Sequence, residues 1–432
     1  MSRSEPAAGA AAELIDPRDP VAVRRHVHAR PELGFCEIRT ADLVWRTVER
    51  LGWSVTGGTA LTDAVGYVGL APVDELDQAC VEARAAGVDA VSVDRLSGGH
   101  TALVAELMGS RPGLTVGIRV DLDALPIHES GAREHHPARA GFASAVPGRM
   151  HACGHDGHVA VGLDLAARLA ADRDFPGRVR LLFQPAEEGV RGAALLAAAG
   201  ACDDLDTMLA FHLGFGLRPG EVAEARDLLA TTKLRATFTG RPAHAANAPQ
   251  EGRHALLAAA AATVSLHGLP RFAGISTRVN VGSLRADGAP NIVPAQARLE
   301  AEVRAGDQQS HAELERRARL VLQGAAVMHE VGLDIVVTGA ATAATNDERL
   351  VRAVLAGAAA AGLTAVGPRS LGASDDASVL MSATQRRGGD AAYLLLGSGT
   401  YGPHHSATFD LDESVLPAAA RLLELAIRSG RR

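Results

Sequence analysis

The chain has 432 residues, 47% of them hydrophobic and 22% charged, with a formal net charge of −7. That balance describes a water-soluble globular protein of two or three structural units with ample apolar material for cores. It argues against non-specific nucleic-acid binding, and 3% aromatics leave little for base stacking. No apolar run reaches the roughly 18 residues of a membrane span. The first twenty residues lack a basic stretch followed by an apolar one, and the four cysteines (Cys36, Cys80, Cys153, Cys202) are too scattered for a disulfide framework. A cytoplasmic enzyme is expected.

In chain order, residues 1–18 are small and polar and are expected to fray. Helical patterns cover 20–30 and 40–51 around the turn Arg-Pro-Glu-Leu-Gly at 30–34. Residues 74–87 read as a further helix, an excursion before the next strand. Segments 101–107 and 114–120 look like buried strands of a mainly parallel sheet, the second running into Asp121-Leu-Asp-Ala-Leu-Pro126. Then comes His151-Ala-Cys-Gly-His-Asp-Gly-His158, three of the chain's 17 histidines within eight residues. A helix at 159–171 follows, which would leave these side chains in the loop entering it. A strand at 179–183 leads into Gln184-Pro-Ala-Glu-Glu-Gly189. After a helix at 192–199, a strand at 207–211 ends on His212. Three strands thus deliver metal-competent or catalytic groups at their carboxyl ends, the edge where open α/β sheets bind ligands.

From about residue 230 the pattern changes. Strands at 233–239, 277–284 and 295–304 alternate with helices near 252–267 and 307–330, a small α+β unit inserted into a larger α/β domain. The α/β pattern resumes with a helix at 347–361, a strand at 391–396, a loop carrying His404 and His405, and a helix at 413–428. The implied domains are 1–229 and 343–432 for the larger unit and 230–342 for the insert.

Imidazole and thiolate suit zinc and its neighbours, and carboxylates suit harder divalent ions. The candidate ligands are Cys153, His155, Glu188, His212 and His405, with His151, Asp156, His158 and His404 in reserve. Five or six such groups fit two divalent ions about 3.5–4 Å apart, a pair that polarises a carbonyl and acidifies water. Glu187-Glu188 then divides naturally into a free general base and a ligand. A His-rich polar loop and a solvated Glu pair are the plainer readings, but the pair follows a buried strand and a proline. Adjacent histidines cannot easily face one site, so His404 and His405 compete for one role. A His-Asp phosphohydrolase is disfavoured by the strand-end placement and the Cys-Gly before His155. A zinc deaminase would also need a Pro-Cys-x-x-Cys, which does not occur.

These motifs, with GRPAHAANAP at 240–249, NIVP at 291–294 and HHSATFDLDE at 404–413, resemble the aminoacylase/carboxypeptidase family of dinuclear metal amidohydrolases. The similarity runs from about residue 20 to the end. It is narrowest to the Cys-ligand branch and, through segment 65–100, ATTK at 230–233 and the late histidines, to its aminobenzoyl-glutamate-cleaving members. The resemblance implies an α/β metallopeptidase catalytic domain with an inserted lid and dimerisation domain. It implies two divalent metal ions, zinc or manganese, held by Cys153, His155, Glu188, His212 and His405. Glu187 would be the base and Asp123 a supporting acid. His244 would steady the oxyanion from across a dimer, and Asn291 and Arg304 would bind the substrate's carbonyl or carboxylate. Where relatives carry Ser-Glu-Asp, this chain has Ser374-Asp375-Asp376.

Lys233 is the single lysine among 43 basic residues. Its place at the start of the insert fits a contact to a substrate carboxylate, a glutamate side chain in particular. A harmless surface lysine is the alternative. The implied reaction is hydrolysis of an N-acyl amino acid, p-aminobenzoyl-glutamate foremost. Alternatives are a general N-acyl-amino-acid deacylase or a chain that works only beside a homologous partner chain. The expected partners are a small-molecule substrate and a second chain, as homodimer or heteromer, with neither nucleic acid nor membrane.

Overall fold

The computed structural model describes residues 15–399 and 401–430. Most of the segment expected to fray therefore lies outside the described residues. Thirteen strands follow one another: β1 (Ser54–Gly57), β2 (Leu103–Met108), β3 (Arg111–Asp121), β4 (Pro176–Gln184), β5 (Thr207–Leu213), β6 (Glu221–Arg226), β7 (Ala230–Thr239), β8 (Thr277–Arg285), β9 (Gln296–Ala305), β10 (Gly332–Ala341), β11 (Thr364–Ala365), β12 (Arg369–Ser370) and β13 (Asp390–Leu396). They form a nine-stranded sheet in the order β1-β2-β4-β3-β5-β13-β6-β11, with β12 also on β6, and a four-stranded sheet in the order β10-β7-β9-β8.

The large sheet is mainly parallel. β3 pairs parallel with β4 and β5, and β5 with β13. β5 (TMLAFHL) is buried along its whole length, as a strand covered on both faces must be. β2, expected as a parallel strand, instead pairs antiparallel with both β1 and β4. The helix His155–Ala171 is buried on nearly every side, and helices Pro20–His28 and Leu416–Ser429 pack on it. The small sheet is antiparallel throughout. β9 alternates buried and open positions, because helices Ala255–His267 and Gln308–Met328 cover one face only. It has its own core around Leu234, Phe238, Leu299, Leu314 and Leu322.

Several elements differ from the sequence reading for local reasons. The helix after the histidine cluster begins at His155, because Gly154 takes φ 93° and starts it four residues early. His155, Asp156 and His158 therefore ride on the first helical turn rather than in a loop. The helix expected at 347–361 stops at Leu355 before Gly357 and resumes as a short 3₁₀ turn. β6 and β10 escape the pattern because β6 is rich in charge and β10 is a half-exposed edge strand with two glycines. Segment 65–100 folds into helices Val73–Ala85 and Ala90–Leu96, whose Leu76, Ala83, Val93 and Leu96 join the main core. Among the described residues no helix is long and apolar enough to cross a membrane.

A buried ionic knot fixes helix Pro20–His28 behind the histidine cluster. Arg24 Nε donates to Asp156 at 3.0 Å, and His28 bonds Asp156 through Nδ1 (2.8 Å) and Glu129 through Nε2 (2.9 Å). Two carboxylates accepting from one ring require the imidazolium form. Burial alone would favour the neutral ring, but the bonds to Asp156 and Glu129 outweigh it and raise His28 to about 9. The stabilisation is fully present below the unfolded pKa near 6.5 and is lost as pH rises through 9. The stability gap between wild type and His28→Gln, read by denaturant titration, should shrink by up to roughly 3 kcal/mol between pH 6 and pH 9. A constant gap would show that His28 is not charged in the fold.

Candidate metal centre

Four chain segments meet at the carboxyl edge of the large sheet. β3 ends in Asp121 and continues to Asp123; β4 runs into Glu187-Glu188; β5 carries His212 as its penultimate residue; the loop after β13 brings His404 and His405. Gly154 turns the chain so that Cys153 and His155 face the same space. The Glu187-Glu188 turn is held under strain. Ala186 and Val190, flanking it, have φ of 51° and 54°, conformations unfavourable for an alanine and more so for a β-branched valine. Two buried carboxylates over-determine it. Glu37 accepts from Ala186 N at 2.8 Å and from Thr101 Oγ1 at 2.6 Å. Asp123 accepts from Glu187 N (2.9 Å) and Glu188 N (3.0 Å), one with each oxygen.

The five expected ligands converge. Cys153 Sγ lies 3.5 Å from His212 Nε2 and 3.3 Å from His405 Nε2. His405 Nε2 lies 3.4 Å from Glu188 Oε2, and His155 Nε2 lies 4.0 Å from Glu188 Oε1 and 3.9 Å from Glu187 Oε2. The ring orientations suit ligation. His155 Nδ1–H donates to Asp123 O at 2.8 Å and His212 Nδ1–H to Leu213 O at 2.8 Å, which leaves both Nε2 lone pairs aimed inward. His155 Nε2 and Glu188 Oε1 are buried with no hydrogen-bond partner, so the donor set fits a divalent cation.

His404 and His405 both line the cavity. The expectation that neighbouring histidines would face apart fails because His405 adopts φ 62°, which swings the two rings to one side. His404 stacks on Phe215 at 4.6 Å and bonds Leu213 O through Nε2 at 3.3 Å. Two further reserve residues have other employment. His158 donates to Asp121 and accepts from Leu213 N at 3.1 Å. Asp156 belongs to the knot behind the site. His151 is buried with neither ring nitrogen bonded.

Negative charge dominates the floor. Burial, reinforced by Asp375 and Glu188, pushes Glu187 well above the usual carboxylate range, and burial raises Glu188 to about 7. Burial also pushes the Cys153 thiol well up. Each shift favours the protonated form, and a cation bound to Glu188 and Cys153 would displace their protons. Asp375 and Asp376 sit against Arg119, at 3.1 and 3.3 Å, and Tyr393 OH donates to Asp375. Asp375 and Asp376 thus anchor a buried arginine beside Glu187, and with Glu187 they form a further acidic cluster close enough to hold a cation. Glu37 and Arg119 were not singled out from sequence; the only hint was a charge inside an apolar strand or turn.

The cavity has a volume of about 270 Å³, with Val190, Phe215 and Leu371 on its apolar side. Lys233 and Arg304 from the four-stranded unit line it, and Lys233 Nζ lies 3.5 Å from Glu188 O. Arg304 is bonded to Glu302 at 3.0 Å. His244 and Asn291 are not among the lining residues. Their chain segments pair through backbone: Ala245 N donates to Asn291 O at 2.9 Å, and His244 bridges to Ile292. Both side chains are exposed, on a surface turned to solvent.

The sequence pattern of Peptidase family M20/M25/M40 matches residues 117–429. Indole-3-acetyl-aspartic acid hydrolase from Enterobacter agglomerans is 40% identical over 408 residues, covering 93% of each chain. One of the subunits of p-aminobenzoyl-glutamate hydrolase from Escherichia coli (strain K12) is also 40% identical, over 405 residues and 93% of each chain. Among solved structures, an aminobenzoyl-glutamate utilization protein from Klebsiella pneumoniae superposes with a TM-score of 0.81 at 33% identity, covering 95% of each chain.

Glu187→Gln should retain metal while lowering kcat by about 10²–10⁴, the range for loss of a general base. Cys153→Ala should lower metal content itself. Elemental analysis beside amide-hydrolysis rates separates the two, and equal metal loss in both variants would assign Glu187 to ligation.

Proposed function

The chain belongs to peptidase family M20/M25/M40, and on that premise we propose that it is a metal-dependent amidohydrolase cleaving the amide between an aromatic acyl group and an acidic amino acid. p-Aminobenzoyl-glutamate is the first substrate to expect. The observation that carries the reading is the convergence of Cys153, His155, Glu188, His212 and His405 beside an uncommitted Glu187. The two relatives at 40% identity are named for acyl conjugates of aspartate and of glutamate, both with flat aromatic acyl groups. Residues 1–229 and 343–432 form the catalytic domain in this reading, and 230–342 the lid and dimerisation domain.

Two divalent ions, zinc or manganese, when held by those five residues supply Lewis acidity toward the scissile carbonyl and lower the pKa of water. The protein's own groups do the rest. Glu187 takes a proton from the attacking water at its carboxylate and returns it to the departing amine. Asp123 keeps Glu187 and Glu188 in place through their backbone N–H groups. Lys233 and Arg304 meet carboxylate or carbonyl oxygen in the cavity. The apolar side near Phe215 and Leu371 receives the aromatic ring and excludes water.

His244 and Asn291 lie away from this chain's own cavity, so they serve the site of a second chain. That placement favours an active dimer, with either an identical copy or a homologous chain. The nearest rival chemistry is that of a general N-acyl-amino-acid deacylase.

Turnover of p-aminobenzoyl-glutamate beside hippurate and an acetyl-amino acid tests the substrate class. A clear preference for the glutamate conjugate is expected, and preference for another conjugate would discard it. His244→Ala should lower kcat by about 10²–10³, the cost of losing one oxyanion donor, with metal content unchanged. Lys233→Ala should raise KM for the glutamate conjugate far more than for a glycine or alanine conjugate. An equal rise for all three would remove Lys233 from substrate binding.

A further inference from the structure

A second cleft, of about 460 Å³, adjoins the metal cavity, and Glu188 and Lys233 line both. One wall is the excursion before β2, through Gly69 and Glu75; another is the lid, through Arg235 and Thr338; Arg191 comes from the turn that follows Glu188. Arg235 is already paired, at 3.1 Å from Glu300. Arg191 and Lys233 are different: neither makes an ion pair among the described residues, and each spends a donor on a backbone carbonyl. Arg191 Nη1 donates to Gly69 O at 2.8 Å, and Lys233 Nζ to Glu188 O at 3.5 Å.

Arg191 is held in one pose. Its guanidinium lies 5.2 Å from the Phe35 ring centroid, and its Nε is buried without a partner. Three glycines make room for it. A Cβ on Gly34 would fall 2.5 Å from Nη2, one on Gly69 2.9 Å from Cδ, and one on Gly189 2.1 Å from Nε. A half-buried guanidinium with unspent donors, fixed beside the reaction centre, is a pre-organised carboxylate receptor.

We infer that this cleft is the subsite for the acidic side chain of the amino-acid half, with Arg191 and Lys233 binding its distal carboxylate and the excursion of residues 65–100 positioning Arg191. The inference rests on the proposed acyl-amino-acid hydrolysis. It gives the excursion a role: Gly69 O aims the guanidinium, and Glu75, the acid on the same wall, limits how strongly an anion is held. The acyl ring then takes the apolar side of the metal cavity, and the scissile amide lies between the two clefts, at Glu188.

The test is the ratio of kcat/KM for p-aminobenzoyl-glutamate over p-aminobenzoyl-glutamine in the metal-loaded protein. The two substrates differ only at the distal carboxylate. Wild type should favour the glutamate conjugate. Arg191→Met, which keeps an aliphatic stem without the guanidinium, should reduce that ratio about tenfold or more, the usual worth of a hydrogen bond to a charged group. Glu75→Gln, at an exposed position where folding is not at stake, should raise the ratio about two- to threefold by removing an opposing charge. A wild type that hydrolyses both conjugates equally would overturn the acidic-substrate reading itself. A wild type that discriminates, with both variants discriminating just as well, would overturn this subsite alone; if Arg191→Met does not fold, an unchanged ratio in Glu75→Gln suffices.

Discussion

Uncompensated negative charge at the carboxyl edge of the large sheet is the constraint on which the rest depends. Asp121, Asp123, Glu187, Glu188, Asp375 and Asp376 crowd into one buried region, and among the described residues Arg119 is the only fully buried guanidinium set among them. Burying like charges together is costly unless protons or cations join them. Protonation would leave a cluster of inert acids. In the proposed reading a divalent pair, taken up by a thiol, three imidazoles and one carboxylate, would turn the same cost into affinity and leave Glu187 free to move a proton.

Strain follows from that arrangement. Around the successive carboxylates Glu187 and Glu188, the backbone takes two left-handed conformations within five residues, at Ala186 and Val190. Such conformations persist only where neighbours over-determine them. Here the neighbours come from far apart in sequence: Glu37 from the first helical region, Asp123 from the end of β3, and the four-stranded unit, whose Ala340 N donates to Val190 O at 2.8 Å. Lys233 touches the same turn from β7. The four-stranded unit is therefore tied to the Glu187-Glu188 turn through backbone, and any shift of that unit bears directly on the turn.

The candidate site was legible in the sequence to the extent that the residues converging there sit in short, chemically dense phrases. HACGHDGH and QPAEEG stand out because they crowd Cys, His and paired Glu into a few residues, the second directly after a buried strand. The large sheet was legible because fully buried strands are continuous apolar runs, as in β5. What the sequence hid was three-dimensional. Nothing in HACGHDGH distinguishes His155, whose Nε2 faces the cavity, from His158, whose two nitrogens are consumed by Asp121 and Leu213. The positive φ that lets His404 and His405 share a cavity is not written in residue type. Glu37 supports the site from 149 residues away, and such a contact has no periodicity to reveal it. β10 was invisible for the opposite reason, since a half-exposed edge with two glycines carries little apolar signal.

The most direct test is anomalous diffraction from crystals loaded with manganese or zinc. Two peaks about 3.5–4 Å apart, within bonding distance of Cys153, His155, Glu188, His212 and His405, are predicted, with Glu187 bound to neither. A single peak, or peaks held by His151 or His158 instead, would contradict the dinuclear site and with it the assignment of Glu187 as the base.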